Sequence, residues 1–278
     1  MPTADDRDLR RALLAVAVLD DVDLRPDDRA LVLLPPRGAE VHVPWSTAAA
    51  VLGDLDPSGA DARVRLRSWL RTRATVAALG AGAPAVLDAG VRALALPPGS
   101  ALHPGPAWVR RRVMGGALDV GLGLVGVVRE ETGTVPLWPD AAAALDGLLD
   151  VDAAAARAEE RLEAMGALAV EHLSREVRWL QRGQLPGRPS AAVLRPLGGC
   201  DVPTLLASAR LREHLSSEDG TGMRALAVPT RSRGWYDLSR VDPVFVAAAW
   251  TATEPDQRGL PRPLLVTADE VALARRRP

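Results

Sequence analysis

The most constraining feature of the sequence is a set of apolar residues that recurs every three or four positions between about residues 152 and 182. This spacing is the periodicity of one face of an α-helix, and Glu171 precedes Arg175 by the four residues that favour an ion pair on a helix. The apolar positions are Leu162, Met165, Ala169, Leu173, Val177 and Leu180. The pattern predicts a long amphipathic helix, whose apolar stripe either joins two halves of the chain or forms the contact of a homodimer.

Short segments typical of β-strands are spread over the rest of the chain. They are rich in apolar residues and are bounded by Gly, Pro or charged residues. They lie at about residues 29–34, 40–45, 92–97, 224–229 and 263–267. Because helical patterns lie between these segments, the sequence indicates a mixed α/β fold, or an α+β fold, with more helix than strand.

Capping signals predict where several further helices begin. Ser46 is a candidate N-cap for a short helix that ends at Leu52, and Asp201 is a candidate N-cap for a continuous helix as far as Leu215. Pro243 suits the first turn of another helix. Helices are also expected over residues 5–19 and 60–79 and in the closing segment 267–277.

The length of 278 residues suits one large domain or two ordinary ones. The segment 183–190 is rich in Gly and Pro and is the best candidate for a linker. We therefore expect a single globular unit over residues 1–278, with a division into 1–182 and 191–278 as the alternative.

The amino-acid composition weakens two otherwise informative signals. The chain contains no Ile, Asn or Lys and only one Phe and one Tyr, which indicates a GC-rich bacterial genome. Since Arg supplies every basic side chain, the Arg-rich helix at residues 63–73 is weaker support for nucleic-acid binding than it would be elsewhere, although only Asp61 opposes its charges nearby. The seven Trp are expected to fill space that Phe would otherwise fill. The net charge of −1 also argues against a polyanionic partner such as nucleic acid.

The expected compartment is the cytoplasm, without a membrane partner. One cysteine, Cys200, excludes an internal disulfide, and the acidic N-terminal segment does not resemble a signal peptide. The least polar stretch, residues 114–128, is shorter than a membrane span and contains Asp119.

Three patterns could carry chemistry, and each has a simpler interpretation. Residues 121–126 fit G-x-G-x-x-G, but the sequence after them allows no dinucleotide-binding helix, so the glycines are expected to serve packing. Cys200 precedes a predicted helix where a thiolate could be stabilised, but nothing brings His172 or His214 to it. The histidines show no metal-binding spacing, and Glu130, Glu131 and Asp140 are expected to be solvated carboxylates. We expect no cofactor and no metal.

The best candidate site follows the strand at 224–229. This loop contains Thr230, Arg231, Ser232, Arg233 and Tyr236, and two guanidinium groups beside hydroxyls suit a carboxylate or phosphate. The strands at 29–34 and 92–97 share an Arg-Ala-Leu pattern with it, and are followed by Arg37 and His103 respectively. If these three strands run parallel and adjacent, Arg37, His103, Arg231 and Arg233 meet at one edge of a sheet.

The sequence leaves the function open between three classes. We expect a non-catalytic interaction or ligand-binding protein, with an unidentified small anion or a protein as partner, because no catalytic constellation is visible. The first alternative is an enzyme that acts on an anionic small molecule through the 229–236 loop. The second is a nucleic-acid-associated factor that uses the 63–73 helix.

Overall fold

A computed structural model describes residues 4–35, 40–79, 88–125, 133–145, 149–181, 193–218, 220–236, 240–267 and 271–273. The helices are α1 (Ala4–Leu19), α2 (Trp45–Leu52), α3 (Ala60–Leu79), α4 (Pro139–Ala143), α5 (Val151–Gln181), α6 (Val202–Leu206), α7 (Ala209–Ser217) and α8 (Pro243–Thr251), with 3-10 turns at Pro106–Trp108 and Pro255–Gln257. The strands are β1 (Leu24–Pro26), β2 (Ala30–Leu33), β3 (Val41–Pro44), β4 (Val91–Leu96), β5 (Arg111–Val113), β6 (Leu118–Val125), β7 (Thr134–Pro136), β8 (Val193–Leu194), β9 (Met223–Thr230), β10 (Arg233–Trp235), β11 (Leu264–Thr267) and β12 (Val271–Leu273). The mixed α/β fold with more helix than strand is confirmed.

The strands form three antiparallel sheets. The first has the order β1-β2-β3, and the largest has the order β12-β11-β9-β10-β8. In the remaining sheet β6 pairs with β4 on one edge and with β5 and β7 on the other. All five predicted strand segments are present, as β2, β3, β4, β9 and β11.

The long helix α5 is the element that the sequence predicts best. It runs from Val151 to Gln181, and Leu162, Ala169 and Leu173 of its apolar stripe are buried within the chain. It packs against β4 and α7. The main hydrophobic core also includes side chains of all three sheets, such as Leu31 and Val228. The homodimer through α5 stays a prediction.

Three local predictions are wrong. Ser46 is not an N-cap, because β3 leads directly into α2 and Pro44, with a φ of −55°, occupies the N-cap position. The helix expected after Asp201 is two helices, since the Ser208 hydroxyl accepts a hydrogen bond from Leu211 N–H and starts α7 anew. In the closing segment, residues 271–273 form β12 instead of a helix, because β11 offers a free edge on which they pair.

The candidate linker at 183–190 lies outside the described residues. Across it, hydrogen bonds join the two parts of the chain: Ala95 N–H donates to the Thr204 hydroxyl, and the Thr134 hydroxyl donates to Gly199 O. None of the helices described here combines the length and apolar character that a bilayer crossing requires.

Candidate functional site

Arg231, the central residue of the predicted loop, is turned into the protein and is only 4% exposed. Its Nε donates to Asp201 Oδ2 at 2.5 Å, Nη1 to Asp256 O at 3.1 Å and Nη2 to Thr134 O at 3.2 Å. The other oxygen of Asp201 accepts from Thr204 N–H at the start of α6. This buried ion pair therefore ties β9 to β7, α6 and the 255–257 turn.

The neighbours of Arg231 form the tight connection between β9 and β10. Thr230 Oγ1 accepts from Arg233 N–H at 3.1 Å and lies 3.4 Å from Ser232 Oγ. Arg233 is exposed, and the ring centroid of Tyr236 lies 5.0 Å from the guanidinium carbon of Arg224. The loop hydroxyls thus help to hold the turn.

The strands β2, β4 and β9 are not parallel and adjacent, because each belongs to a different antiparallel sheet. That premise of the predicted site is wrong. Arg37 lies outside the described residues. Arg231 and Leu102, the residue before His103, do line one small cavity of about 40 Å³, but His103 itself does not line it.

His103 is buried and both of its ring nitrogens are occupied by the protein. Nδ1 accepts a hydrogen bond from Gly105 N–H at 3.0 Å, so the proton is on Nε2, which lies 3.1 Å from Asp119 Oδ2. Arg65 donates to the carbonyl oxygens of Ala101 and His103, and the ring of Trp108 meets the imidazole edge-on. His103 therefore stabilises the turn after β4.

This arrangement predicts a pH-dependent stability. Burial lowers the pKa of His103 below its ordinary 6.5, although Asp119 opposes the shift; Arg65 and Arg112 add to it. The unfolded chain then takes up a proton that the folded chain does not, so the free energy of unfolding falls as the pH drops below about 6.5. The free energy of unfolding in urea should fall more between about pH 7.5 and about pH 5 for the native protein than for His103→Gln. The glutamine keeps a hydrogen-bond donor that does not titrate. An equal loss in the two proteins would contradict this assignment.

Cys200 is buried, and its surroundings disfavour a thiolate. Burial raises the pKa of the thiol to about 12, and the Asp201 carboxylate adds to the shift. The position of Cys200 before a helix suggested a stabilised thiolate. The effect of burial on the pKa of the thiol is larger than any effect of that position. His214 on α7 lies beside Glu218, the residue that follows this helix. No described group of His, Cys, Asp or Glu could hold a metal ion.

The charge of the Arg-rich helix α3 is partly neutralised by groups that the sequence does not place near it. Arg67 and Arg71 both bind Asp20 from the end of α1, and Arg73 binds Asp140. The expectation that only Asp61 opposes these charges is wrong. A further basic cluster at residues 110–112 is paired as well: Arg110 binds Asp152, Arg111 binds Glu159 and Arg112 binds Asp119.

The first two glycines of the G-x-G-x-x-G pattern, Gly121 and Gly123, lie inside β6, and their small size serves packing. A Cβ on Gly121 would lie 2.4 Å from the Trp108 ring, and a Cβ on Gly123 would lie 2.7 Å from the Thr134 methyl group. Trp108 is held there by a hydrogen bond from its Nε1 to Leu122 O at 2.7 Å. Gly126 lies outside the described residues.

A cavity of about 360 Å³ lies between the turn after β4 and the segment that connects α8 to β11. We call it the Trp250 cavity. Its walls are mostly Pro, Gly, Ala, Leu and Trp side chains and backbone. The lining residues are Asp61, Pro97, Pro98, Gly99, Ser100, Ala101, Gly116, Ala117, Trp250, Pro255, Arg258, Gly259, Leu260, Pro261 and Arg262.

Trp250 and Arg258 form the rigid part of this cavity. Trp250 Nε1 donates to Gly259 O at 3.1 Å, and the guanidinium carbon of Arg258 lies 4.5 Å from the indole ring centroid. Arg258 Nε donates to Thr253 O at 3.0 Å, while its Nη1 lies 3.9 Å from Asp61 Oδ1. The latter distance is too long for a hydrogen bond.

The sequence predicts this cavity poorly. Trp250 is expected from composition only to substitute for Phe, and nothing local connects Arg258 with the Pro97–Ala101 turn, about 160 positions earlier. The available signal was Pro-Pro-Gly-Ser directly after a buried strand, which indicates a turn at a strand end where ligands often bind.

Comparisons of the chain with protein-family models, curated proteins and solved structures found no match.

Proposed function

We propose that this chain is a non-catalytic binding protein whose ligand is a small, largely apolar molecule held in the Trp250 cavity. The observation that carries the proposal is the cavity itself, with a volume of about 360 Å³ and mostly apolar walls. Small-molecule sites are concave, predominantly apolar and about 300–1,000 Å³ in volume, with a few polar groups for orientation.

The polar groups of the cavity suit recognition better than catalysis. Among the lining residues, the polar or charged side chains are those of Asp61, Ser100, Arg258 and Arg262. Ser100 Oγ accepts a hydrogen bond from Leu102 N–H, and no histidine or lysine is among the lining residues to act as its base. His103, three residues further on, has both ring nitrogens engaged.

The two alternatives have weaker support. An enzyme that uses the 229–236 loop needs Arg231 to reach a substrate, whereas its guanidinium bonds Asp201 and two carbonyl oxygens. A nucleic-acid factor that uses α3 needs unpaired arginines along one face, whereas Arg67, Arg71 and Arg73 bind carboxylates.

The proposal is tested by filling the cavity. Gly99 lines the cavity, and its φ lies outside the left-handed region that favours glycine. A Cβ at this position would meet no atom within 4 Å. The neutral dye N-phenyl-1-naphthylamine, which fluoresces in apolar surroundings, should bind the native protein. Gly99→Leu should weaken dye binding about tenfold or more because the leucine occupies ligand space, whereas Gly99→Ala should change it little.

Thermal unfolding of the three proteins provides the control for folding. Equal melting temperatures with loss of dye binding only in Gly99→Leu would support the proposal. Absence of dye binding to the native protein, or equal binding to Gly99→Leu, would refute it.

A further inference from the structure

We propose that the ligand of the Trp250 cavity carries a single anionic group, of the carboxylate or sulfonate class, which binds the guanidinium of Arg258. This inference rests on the proposed binding function and specifies the chemistry of the ligand. It is carried by three features of the cavity: the fixed orientation of Arg258, the balance of charge on the walls, and the loose contact with Asp61.

Arg258 is held in place before any ligand binds. Its side chain is 25% exposed, its guanidinium lies over the Trp250 ring, and its Nε is already used by Thr253 O. The contacts fix the plane of the group and leave the two Nη atoms as the donors for an incoming oxyanion. A guanidinium presents paired N–H groups that match the two oxygens of a carboxylate. Because the arginine is already ordered, binding costs little side-chain entropy.

The charge on the walls favours an anion. Arg258 and Arg262 carry positive charges and Asp61 carries the only negative charge among the lining residues, so the wall has a net charge of +1. The chain as a whole has a net charge of −1. The positive character is therefore local to the cavity, and one anionic group on the ligand neutralises it.

Asp61 marks the place of the ligand's anionic group. Its carboxylate is 50% exposed and stands 3.9 Å from Arg258 Nη1, close enough to attract the guanidinium but too far to hydrogen-bond to it. An exposed ion pair of this kind contributes little to the free energy of unfolding. A ligand carboxylate that approaches Arg258 at hydrogen-bond distance would displace this contact, so Asp61 competes with the ligand.

The test uses two dyes of nearly equal shape. Anilinonaphthalene sulfonate carries one negative charge, whereas N-phenyl-1-naphthylamine is neutral. We expect the native protein to bind the sulfonate more tightly. Arg258→Met should reduce sulfonate affinity about tenfold, the factor for loss of one charge-assisted hydrogen bond, and should leave the neutral dye within about threefold. Asp61→Asn should raise sulfonate affinity about threefold, because it removes the competing carboxylate.

Arg224→Met is the matched control. Arg224 also lies over an aromatic ring, that of Tyr236, but it is not among the lining residues of the cavity. Its replacement should change the affinity of neither dye. A variant that only damaged the fold would lower the affinity for both dyes and would not reproduce the opposite effects at Arg258 and Asp61.

The outcomes separate the two proposals. If the neutral dye binds in a manner that depends on Gly99 but the sulfonate shows no preference and no response to Arg258→Met, the anion inference is wrong while the binding function stands. If neither dye responds to Gly99→Leu, both proposals are wrong.

Discussion

Replacement of Arg231 by methionine is expected to lower the free energy of unfolding by about 3–5 kcal/mol, the range for breaking a buried ion pair. The substitution leaves the Asp201 carboxylate buried without its guanidinium, and it leaves the carbonyl oxygens of Asp256 and Thr134 without a donor. Urea unfolding of the variant, compared with the native protein, measures the loss.

Arg233→Met is the matched control, because Arg233 is exposed and lies only two residues away. Its replacement should change the free energy of unfolding by less than about 0.5 kcal/mol. The double variant Arg231→Met with Asp201→Asn should recover part of the loss, since it no longer buries an unpaired charge. A stable Arg231→Met protein that had lost binding of a small anion would instead support the 229–236 loop as the ligand site.

Replacement of Gly121 by alanine is expected to lower the free energy of unfolding by about 2–3 kcal/mol, near the upper end of the range for overpacking a core. The added Cβ would lie 2.4 Å and 2.6 Å from Trp108 ring atoms and 2.6 Å from Trp108 O. Trp108 cannot move aside without losing the hydrogen bond from its Nε1 to Leu122 O. Chemical denaturation monitored by circular dichroism measures the effect without relying on the fluorescence of the displaced indole.

Gly99→Ala provides the comparison, because a Cβ at Gly99 meets no atom within 4 Å. The two substitutions add the same methyl group, so the difference between them isolates packing in β6. Equal stabilities for the two variants would show that Gly121 is not fixed by Trp108. Selective stabilisation of the native protein by a dinucleotide, lost in Gly121→Ala, would instead revive the cofactor interpretation.

The sequence predicts elements well where the signal is local. The apolar spacing of α5, the Asp201 cap of α6 and Pro243 at the start of α8 each act within a few residues, and each is present in the structure. Local signals fail where pairing or packing against another element decides. Residues 271–273 form a strand because β11 is beside them, and Ser208 starts a new helix where Glu163 of α5 accepts hydrogen bonds from Ala209 and Arg210 N–H.

The candidate site depends even more on distant partners. Arg231 has the residue type of an anion ligand, but whether it faces solvent or Asp201 depends on how β9 packs against α6. The charges of α3 appear unopposed in the sequence because Asp20 lies on a different part of the chain. Trp250 and Arg258 become a cavity wall only when the Pro97–Ala101 turn lies opposite them. No periodicity or motif in the sequence predicts these contacts between distant parts of the chain.

The Trp250 cavity joins two stretches that are far apart in the chain, residues 61–117 and residues 250–262. Neither stretch encloses the space alone, so a bound molecule loses the contacts that one stretch makes as soon as the two separate. Occupancy would therefore stabilise the native state more than a transition state in which they have parted, and its effect would fall on the unfolding rate. The ligand would lengthen the lifetime of the folded protein without making it fold faster.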